Sequence, residues 1–423
     1  MDMQTKPTHT LAEQAIIDGF LARVGDFPGD ASVTSARDRL VSEFRAGGLP
    51  TRRMEAWHYT DLKAQMKIVP NMDTGLVDAA RPLVGASTVL PVLQGSANAP
   101  QAVEGCEIWP FMDMLASGDA AKLLRTRGDD DVIGRLNGAF VTDGFCLEVA
   151  DDTVIADIIE LQAVQNGGQA HTRFPASFGQ NSTATVIERH LGSHERSGFS
   201  SSISSVDLGA GAEVTWIIVQ QRGDKDQHLG QLNARLGANS RLNLFIVNAG
   251  GKLIRQEIHI EVAGEGSHFN LRTINLLAGD SHTDVTLTLG HDVPNTTSSE
   301  IVRNVVLDRA RGVFQGQIKV AQAAQKTDAQ MACNTLLLSD DGEFAAKPEL
   351  EIFADDVVCA HGATVIDIDR TQLFYLMARG ISESTARGLL VNGFVDELVG
   401  ELENEELVGV LETMIEQWLA AHA

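Results

Sequence analysis

Cys359 and His361 are the residues of this sequence whose types and spacing could do chemistry most directly. They lie two positions apart in the stretch Ile352–Thr364, which reads I-F-A-D-D-V-V-C-A-H-G-A-T. Because residues i and i+2 of an extended strand point to the same face, a strand here would present a thiol beside an imidazole. Such a pair could ligate a soft metal, form a nucleophile and base, or be a buried cysteine near a polar histidine.

The other cysteines and histidines give this pair no local partner. The four cysteines are Cys106, Cys146, Cys333 and Cys359, and they form no C-x-x-C motif. This argues against a zinc ribbon, a ferredoxin-type cluster and a disulfide framework. We interpret the histidines of the middle region as surface or turn residues, because none combines with another and a carboxylate at a metal-like spacing. They are His171, His190, His194, His228, His259, His268, His282 and His291.

The composition restricts the class of partner. The chain has 423 residues, 33 Lys and Arg against 57 Asp and Glu, and a formal charge of −24. This balance disfavours a nucleic-acid backbone or an anionic membrane surface. No apolar run approaches the ~20 residues that span a bilayer, and the start, M-D-M-Q-T-K-P, lacks the regions of a secretory signal. We therefore expect a cytoplasmic protein.

The middle of the chain carries a repeat that would position such a site. Five Gly turns at Gly179, Gly209, Gly237, Gly264 and Gly290 follow one another at intervals of 30, 28, 27 and 26 residues. Strand-like runs lie between them, at 213–220, 241–247, 256–262, 283–289 and 313–320. This pattern favours a parallel β-helix, a stacked solenoid whose ends the flanking helical regions would cap. An antiparallel sandwich is the alternative. An uncovered edge strand would suit another copy or a relative.

The flanking regions are predicted to be mainly helical. Helices are predicted over Leu11–Leu21, Ser35–Phe44 and Met112–Leu124, and Leu136–Phe140 is predicted as a short element closed by a turn at 142–144. We interpret Arg52–Lys63, which contains Trp57 and Tyr59, as an aromatic anchor rather than a small polar site. The expected division is a helical or mixed cap over 1–144, the β-helix over 145–366 and a helical domain over 367–423.

The tail is predicted to hold several helices. Asp369 and Gln372 suggest a capping box for a helix that Gly380 ends. Further helices are predicted over Glu383–Val391, from Phe394, and over Glu405–Leu419, which carries an apolar stripe. Such a stripe packs on its own domain or lies in a groove of a partner.

Several stretches together carry a specific resemblance. They are K-T-D-A-Q at 326–330, C-N-T-L-L-L-S at 333–339, P-E-L-E-I at 348–352, D-V-V-C-A-H-G-A-T at 356–364, L-F-Y-L-M-A-R-G-I at 373–381, E-A-W-H-Y-T-D at 55–61, L-N-G-A-F at 136–140 and D-G at 143–144. The chain resembles the SufB/SufD family of iron–sulfur cluster assembly proteins. Its Cys-x-His-Gly-Ala-Thr is similar to the SufD branch. Many relatives continue Thr-Val-Gly where this chain has Thr-Val-Ile at 364–366, which leaves only the local turn in question.

The resemblance implies a right-handed parallel β-helix, a SufD-like scaffold that pairs with SufB, and C-terminal helices that bind the ATPase SufC. It places a transient iron–sulfur cluster at the SufB–SufD interface, with His361 contributing and Cys359 beside it. Partner-binding residues expected in the tail are Phe374, Tyr375, Arg379 and Gly380. The isolated chain is expected to hold no stable cofactor, a homodimer is an alternative when it is alone, and flavin binding by the complex stays open.

Two ligands cannot hold a cluster alone, so the missing ligands would come from the partner chain. The sequence lacks a G-x-x-x-x-G-K-[ST] motif and is therefore not the P-loop ATPase. We expect a non-enzymatic assembly component. The alternatives are a β-helix enzyme acting on polysaccharides, a cysteine hydrolase that uses Cys359 with His361, and a purely structural β-helix.

Overall fold

The computed structural model describes residues 9–72 and 75–422. The M-D-M-Q-T-K-P start lies outside the described residues. The helices are α1 (Leu11–Arg23), α2 (Ala31–Gly47), α3 (Leu62–Gln65), α4 (Phe111–Ser117), α5 (Val132–Phe140), α6 (Arg370–Ala378), α7 (Glu383–Val399) and α8 (Glu405–His422), with 3₁₀ turns at Glu55–Trp57 and Asp119–Lys122.

The strands run through the middle of the chain almost without interruption. They are β1 (Thr88–Leu93), β2 (Ser96–Ala97), β3 (Cys106–Pro110), β4 (Asp143–Val149), β5 (Ile159–Val164), β6 (Gly168–Phe178), β7 (Thr183–Leu191), β8 (Gly198–Leu208), β9 (Glu213–Gln221), β10 (Gln227–Leu236), β11 (Arg241–Asn248), β12 (Leu253–Val262), β13 (His268–Leu277), β14 (His282–His291), β15 (Thr297–Val306), β16 (Arg311–Val320), β17 (Asp328–Leu337), β18 (Glu343–Ile352) and β19 (Val358–Ile366).

These strands form a parallel β-helix. Over the described residues, one sheet has the order β19-β17-β15-β13-β11-β9-β7-β5-β1-β2 and the other the order β18-β16-β14-β12-β10-β8-β6-β4-β3. From β4 onward, successive strands alternate between the two sheets, and each pairs in parallel with the strand of the next coil. The predicted mainly β fold with a parallel β-helix and flanking helices is thus confirmed. The antiparallel sandwich is wrong, since the only antiparallel pairs among the strands given above are β1–β2 and β3–β4.

The core lies between the two sheets. Alternate residues of each strand point inward, as the pleat requires, and bury large side chains such as Trp216, Phe269 and Phe314. Burial of this kind stabilises by roughly 25 cal/mol per Å² of apolar surface. Each coil covers the next, so the core is continuous along the axis.

The predicted turns are correct at four of five positions. The turns that begin at Gly179, Gly209, Gly237 and Gly264 connect β6 to β7, β8 to β9, β10 to β11 and β12 to β13. The turn predicted at Gly290 is wrong, because Gly290 lies inside β14 opposite Glu261 and the chain turns after His291. The feature that recurs is a left-handed residue in each turn, at Asn181, Gly211, Asn239, Gly266 and Asn295, with φ of 53, 71, 56, 74 and 58°.

The helical regions lie on opposite outer faces of the β-helix. Residues of α1, α2 and α5 pack with Phe199, Leu229 and Leu253 of the nine-stranded sheet. Residues of α7 and α8 pack with Ile217, Phe245 and other side chains of the ten-stranded sheet. The expectation that both regions cap the ends is therefore wrong for the last coil, whose strands β18 and β19 stay exposed. The division at 144 and 366 stays a prediction.

Several helix boundaries differ from those predicted. The predicted helix over 112–124 ends at Ser117, because Gly118 takes a left-handed φ of 88°, and a 3₁₀ turn follows. The two helices predicted over 383–391 and from 394 are the single helix α7, which continues through Gly393. Leu136–Phe140 belongs to α5, and the predicted turn residues Asp143 and Gly144 begin β4.

No helix among the described residues combines the length and the apolar character that crossing a membrane would require.

Candidate functional site

The last coil of the β-helix leaves two strand edges open. Among the described residues, β18 pairs with β16 only and β19 with β17 only. The coil also exposes large apolar side chains, including Phe353 (58%), Val358 (62%) and Ile366 (55%). An unpaired edge with exposed apolar residues is a template for pairing with another chain.

Cys359 and His361 both lie on the open strand β19. Cys359 is half-buried against the core and pairs in register with Ala329, whereas His361 is exposed and pairs with Met331. Their i, i+2 spacing puts both side chains on one face of the strand, as the sequence predicts. The structure therefore brings the predicted pair together at an accessible edge.

The geometry does not make Cys359 a nucleophile. Burial raises the pKa of its thiol, the hydrogen bond with the Ala329 backbone lowers it, and the charge of Asp328 raises it. A reactive cysteine instead needs a lowered pKa. Within the described part of the chain, no group of three or more His, Cys, Asp or Glu residues is arranged to hold a metal ion. The described residues therefore add no further donor to the pair that would complete a metal site.

Behind the pair lies a buried carboxyl group that the sequence did not reveal. Glu300 of β15 pairs with Met331 of β17, which in turn pairs with His361, so the three occupy one row of the sheet. Burial raises the pKa of Glu300 to about 8, although the Ser298 hydroxyl and the Arg272 charge oppose this. Neither carboxylate oxygen has a hydrogen-bond partner of regular geometry among the described residues. The carboxyl group is therefore protonated at neutral pH.

A second polar cluster fills the interior of the middle coils. Glu188 accepts hydrogen bonds from Ser204 at 2.6 Å and from the Trp216 indole at 3.0 Å, and its other oxygen lies 2.8 Å from His190 Nε2. The His190 and His228 rings lie 4.6 Å apart between centroids. Burial alone would raise the pKa of Glu188, but these hydrogen bonds lower it below its usual value.

Most of the eight histidines that the sequence places on the surface or in turns are instead buried, so that interpretation is wrong for them. The buried histidines are His171, His190, His228, His282 and His291. Burial lowers the pKa of His171 to about 3 and of His291 to about 4, so both are neutral in the folded protein. Alternation along the strands would have identified His190, His228 and His291, which lie at inward positions. His171 and His282 lie on the outer face of the nine-stranded sheet, where Phe140 and Thr60 of the N-terminal region cover them.

Polar side chains continue along the interior toward the open end. The Asn248 amide donates to Asn275 at 2.7 Å, Asn275 to Asn304 at 2.7 Å, and Asn304 to Thr335 at 3.0 Å. Cys333 lies at the end of this ladder, where burial raises the pKa of its thiol to about 12. Such ladders satisfy buried amide groups from coil to coil, and this one fixes the register of the sheet.

The segment Arg52–Lys63 anchors the N-terminal region on the nine-stranded sheet. Trp57 is fully buried, and the Arg255 guanidinium lies 4.5 Å from its ring centroid. Thr60 donates to Asp284, which also pairs with Arg255. These contacts correspond to the interpretation of the segment as an aromatic anchor.

The expected partner-binding residues lie on α6 or directly after it, and the rest of the protein covers this helix only in part. No described residue of α6 is buried, and Phe374 (72%) and Tyr375 (56%) are among its most exposed side chains. Arg379 stacks on the Tyr375 ring at 4.9 Å, and Gly380 ends the helix with a left-handed φ of 87°. By contrast, the apolar stripe of α8 packs on the protein's own β-helix through Leu407 and neighbouring residues.

Comparisons with known proteins agree with this architecture. Residues 161–394 match the family model described as SUF system FeS cluster assembly, SufBD core domain. An iron–sulfur cluster assembly SufBD family protein of Synechocystis sp. is 27% identical, over 96% of this chain and 94% of the relative. The iron–sulfur cluster assembly protein SufD of Escherichia coli is 27% identical over 85% and 87%, respectively. Protein ABCI7, chloroplastic, of Arabidopsis thaliana is 27% identical over 66% and 61%.

Proposed function

The chain belongs to the SufBD core family of iron–sulfur cluster assembly proteins, since the family match spans more than half of it, and we propose that it is a SufD-like scaffold subunit. In this proposal it pairs with SufB through the open coil and binds the ATPase SufC through α6. The relatives named SufD and SufBD support the assignment.

The observation that carries the proposal is the open strand β19 with its incomplete ligand pair. Cys359 and His361 supply a sulfur and a nitrogen donor, which suit iron or a sulfur-rich cluster. Two donors leave at least two positions unfilled, and a strand edge is where a second chain can supply them. The iron–sulfur cluster is the cargo of this site, and a shared ligand set allows its release when the partner moves.

The role proposed for α6 rests on its exposure. A helix packed for stability alone buries an apolar face, whereas α6 presents Phe374 and Tyr375 to solvent. Aromatic side chains with a neighbouring arginine, here Arg379, are typical of interface centres. ATP-driven movement of SufC would reach the cluster site through the short connection between β19 and α6. Flavin binding by the complex stays a prediction.

The proposal for the cluster site is tested with His361→Ala in a complex reconstituted with SufB and SufC. We expect the yield of cluster, followed by its visible absorbance, to fall several-fold while the three subunits still co-elute. His194→Ala, another exposed histidine, is the matched control. Unchanged cluster yield in His361→Ala would contradict the assignment of His361 as a ligand. Turnover of uronate polymers by the protein would favour the polysaccharide-enzyme alternative.

The proposal for α6 is tested separately by SufC binding. Phe374→Ala is expected to weaken SufC binding by about tenfold or more, as for a central aromatic interface residue, and truncation after Arg370 is expected to abolish it. Ile68→Ala removes a similarly exposed apolar side chain (75%) outside the tail and serves as control. SufC binding that survives the truncation would contradict the proposal.

A further inference from the structure

A cleft of about 460 Å³ lies at one corner of the β-helix, where the strands of the nine-stranded sheet begin. We call it the corner cleft. One row of the sheet supplies its floor: Gln227 of β10, Leu253 of β12, His282 of β14 and Arg311 of β16 are successive register partners. Neighbouring positions in this row are about 4.8 Å apart. The row therefore places several polar groups within the reach of one small molecule.

Three polar side chains of the corner cleft contain buried atoms without a partner. They are Ser281 Oγ, His282 Nδ1 and Gln227 Oε1, and none has a hydrogen bond within the described residues. Roughly nine in ten buried polar groups of folded proteins are paired. His282 itself is only 7% exposed. Since these three side chains line one cleft, a molecule bound in the cleft is a candidate to complete their hydrogen bonds.

The hydrogen bonds of Thr60 define the tautomer of His282. The single hydroxyl proton of Thr60 is donated to Asp284, whose carboxylate is an acceptor only. Thr60 Oγ1 also lies 2.8 Å from His282 Nε2, so Nε2 carries the proton of this second bond. Burial lowers the pKa of His282; the Asp284 charge opposes this, and Arg311 and other cations lower the pKa further. His282 Nδ1 is therefore an acceptor that needs a donor.

The charges around the corner cleft call for an anion. The ammonium group of Lys252 forms no ion pair or hydrogen bond within the described residues, and Arg311 pairs only with Glu343, at 3.2 Å and with both side chains more than half exposed. Arg309 is neutralised by Asp280 at 2.8 Å. Surface ion pairs contribute little, so Arg311 can turn to a ligand. A ligand must then combine negative charge for Lys252 and Arg311 with O–H donors for His282 Nδ1 and Gln227 Oε1.

We propose that the corner cleft binds a small phosphate compound that keeps O–H donors, either inorganic phosphate or a hydroxylated phosphomonoester. Inorganic phosphate retains at least one proton at neutral pH, whereas sulfate retains none. The cleft volume is at the small-metabolite end of the usual range. The formal charge of −24 disfavours larger polyanions such as nucleic acid.

The test is calorimetric titration of the full chain at pH 7 and constant ionic strength with inorganic phosphate, glycerol 3-phosphate and sulfate. We expect saturable binding of phosphate, at least about tenfold weaker binding of sulfate, and about tenfold weaker phosphate binding by Lys252→Ala, the loss of one charged hydrogen bond. Tighter binding of glycerol 3-phosphate than of phosphate would identify an organic phosphate as the ligand; the reverse order would identify the free ion.

Variants make the result specific to the corner cleft. Ser281→Ala should also weaken phosphate binding, and Lys122→Ala, which removes an exposed lysine elsewhere, should not. Thermal melts of each variant confirm folding, so a loss of binding in a folded variant is interpretable. Absence of saturable phosphate binding, equal affinity for sulfate, or wild-type affinity in Lys252→Ala would each overturn the proposal.

Discussion

Glu300 carries a carboxyl group into the core beneath the open strand, and its proton links stability to pH. The pKa of this group rises from an ordinary value of 4.5 to about 8 on folding. Between these two pH values the native state holds a proton that the unfolded state has lost. The contribution of Glu300 to the free energy of unfolding is therefore fully present below pH 4.5 and is lost as pH rises toward 8.

Glu300→Gln removes this linkage while keeping the shape of the side chain. We expect the variant to gain stability relative to wild type as pH rises from 4.5 to 8, by on the order of a few kcal/mol in total. Urea unfolding at several pH values measures this difference. Glu343→Gln, at an exposed position of β18, is the matched control. Parallel stability profiles for wild type and Glu300→Gln would contradict the assignment of a buried, protonated carboxyl group.

Asp284 pairs with the buried guanidinium of Arg255, which also contacts Glu257 at 3.1 Å. Removing one partner of a buried ion pair costs about 3–5 kcal/mol, and the Glu257 contact that remains places the expected loss at the lower end of this range. We therefore expect Asp284→Ala to lower the free energy of unfolding by about that amount and to loosen the Trp57 anchor, visible as a shift in tryptophan fluorescence. Asp280→Ala breaks an exposed pair with Arg309 instead and should cost about 0–1 kcal/mol. Equal losses in the two variants would contradict this account.

At the scale of elements, the strand β19 is the feature on which the proposed assembly depends. Val358→Lys places a positive charge on the open coil, and a lysine at an edge strand disfavours pairing with the edge of another sheet. We expect this variant to lose self-association and SufB binding in sedimentation experiments, with an unfolding free energy within about 0.5 kcal/mol of wild type, because Val358 is 62% exposed. Val154→Lys, at a 70% exposed position near the first coils, is the control. Association unaffected by Val358→Lys would remove β19 from the interface.

The repeat was readable from the sequence because turns obey a local rule. Glycine and asparagine take a left-handed conformation at little energetic cost, and Asn181, Gly211 and Asn239 recur in this conformation at coil spacing. The first glycine of each turn predicts the repeat less well, because Gly290 lies inside β14. The third residue of the turn predicts it better, because this residue must take the left-handed conformation.

The site was predictable only in part, for a similarly physical reason. The shared face of Cys359 and His361 follows from strand periodicity. The row that joins Glu300, Met331 and His361 depends instead on register between coils of unequal length. Nothing local in the sequence fixes that register, and the same holds for the packing of the helical regions on the two outer faces.

At the scale of the molecule, the coils differ in how much covers them. Central strands such as β9 to β14 have neighbours on both sides and helices over an outer face, whereas β18 is mostly half-exposed and β19 mostly exposed. In a solenoid, stability is carried by contacts between adjacent coils. We expect hydrogen exchange of β18 and β19 to be faster than that of β10 to β13, and to slow when the partner binds. Uniform protection along the β-helix would contradict a weakly held last coil.

The two ends of the β-helix also set how far an assembly can grow. At the first coils the sheets finish in the antiparallel strands β2 and β3, of two and five residues, while β18 and β19 have ten and nine. A solenoid with a long parallel edge at each end could add subunits without limit and form a fibre. A chain with a long edge at one end can be extended once. Pairing of two such edges would leave no long edge free, so the number of joined β-helices would stop at two.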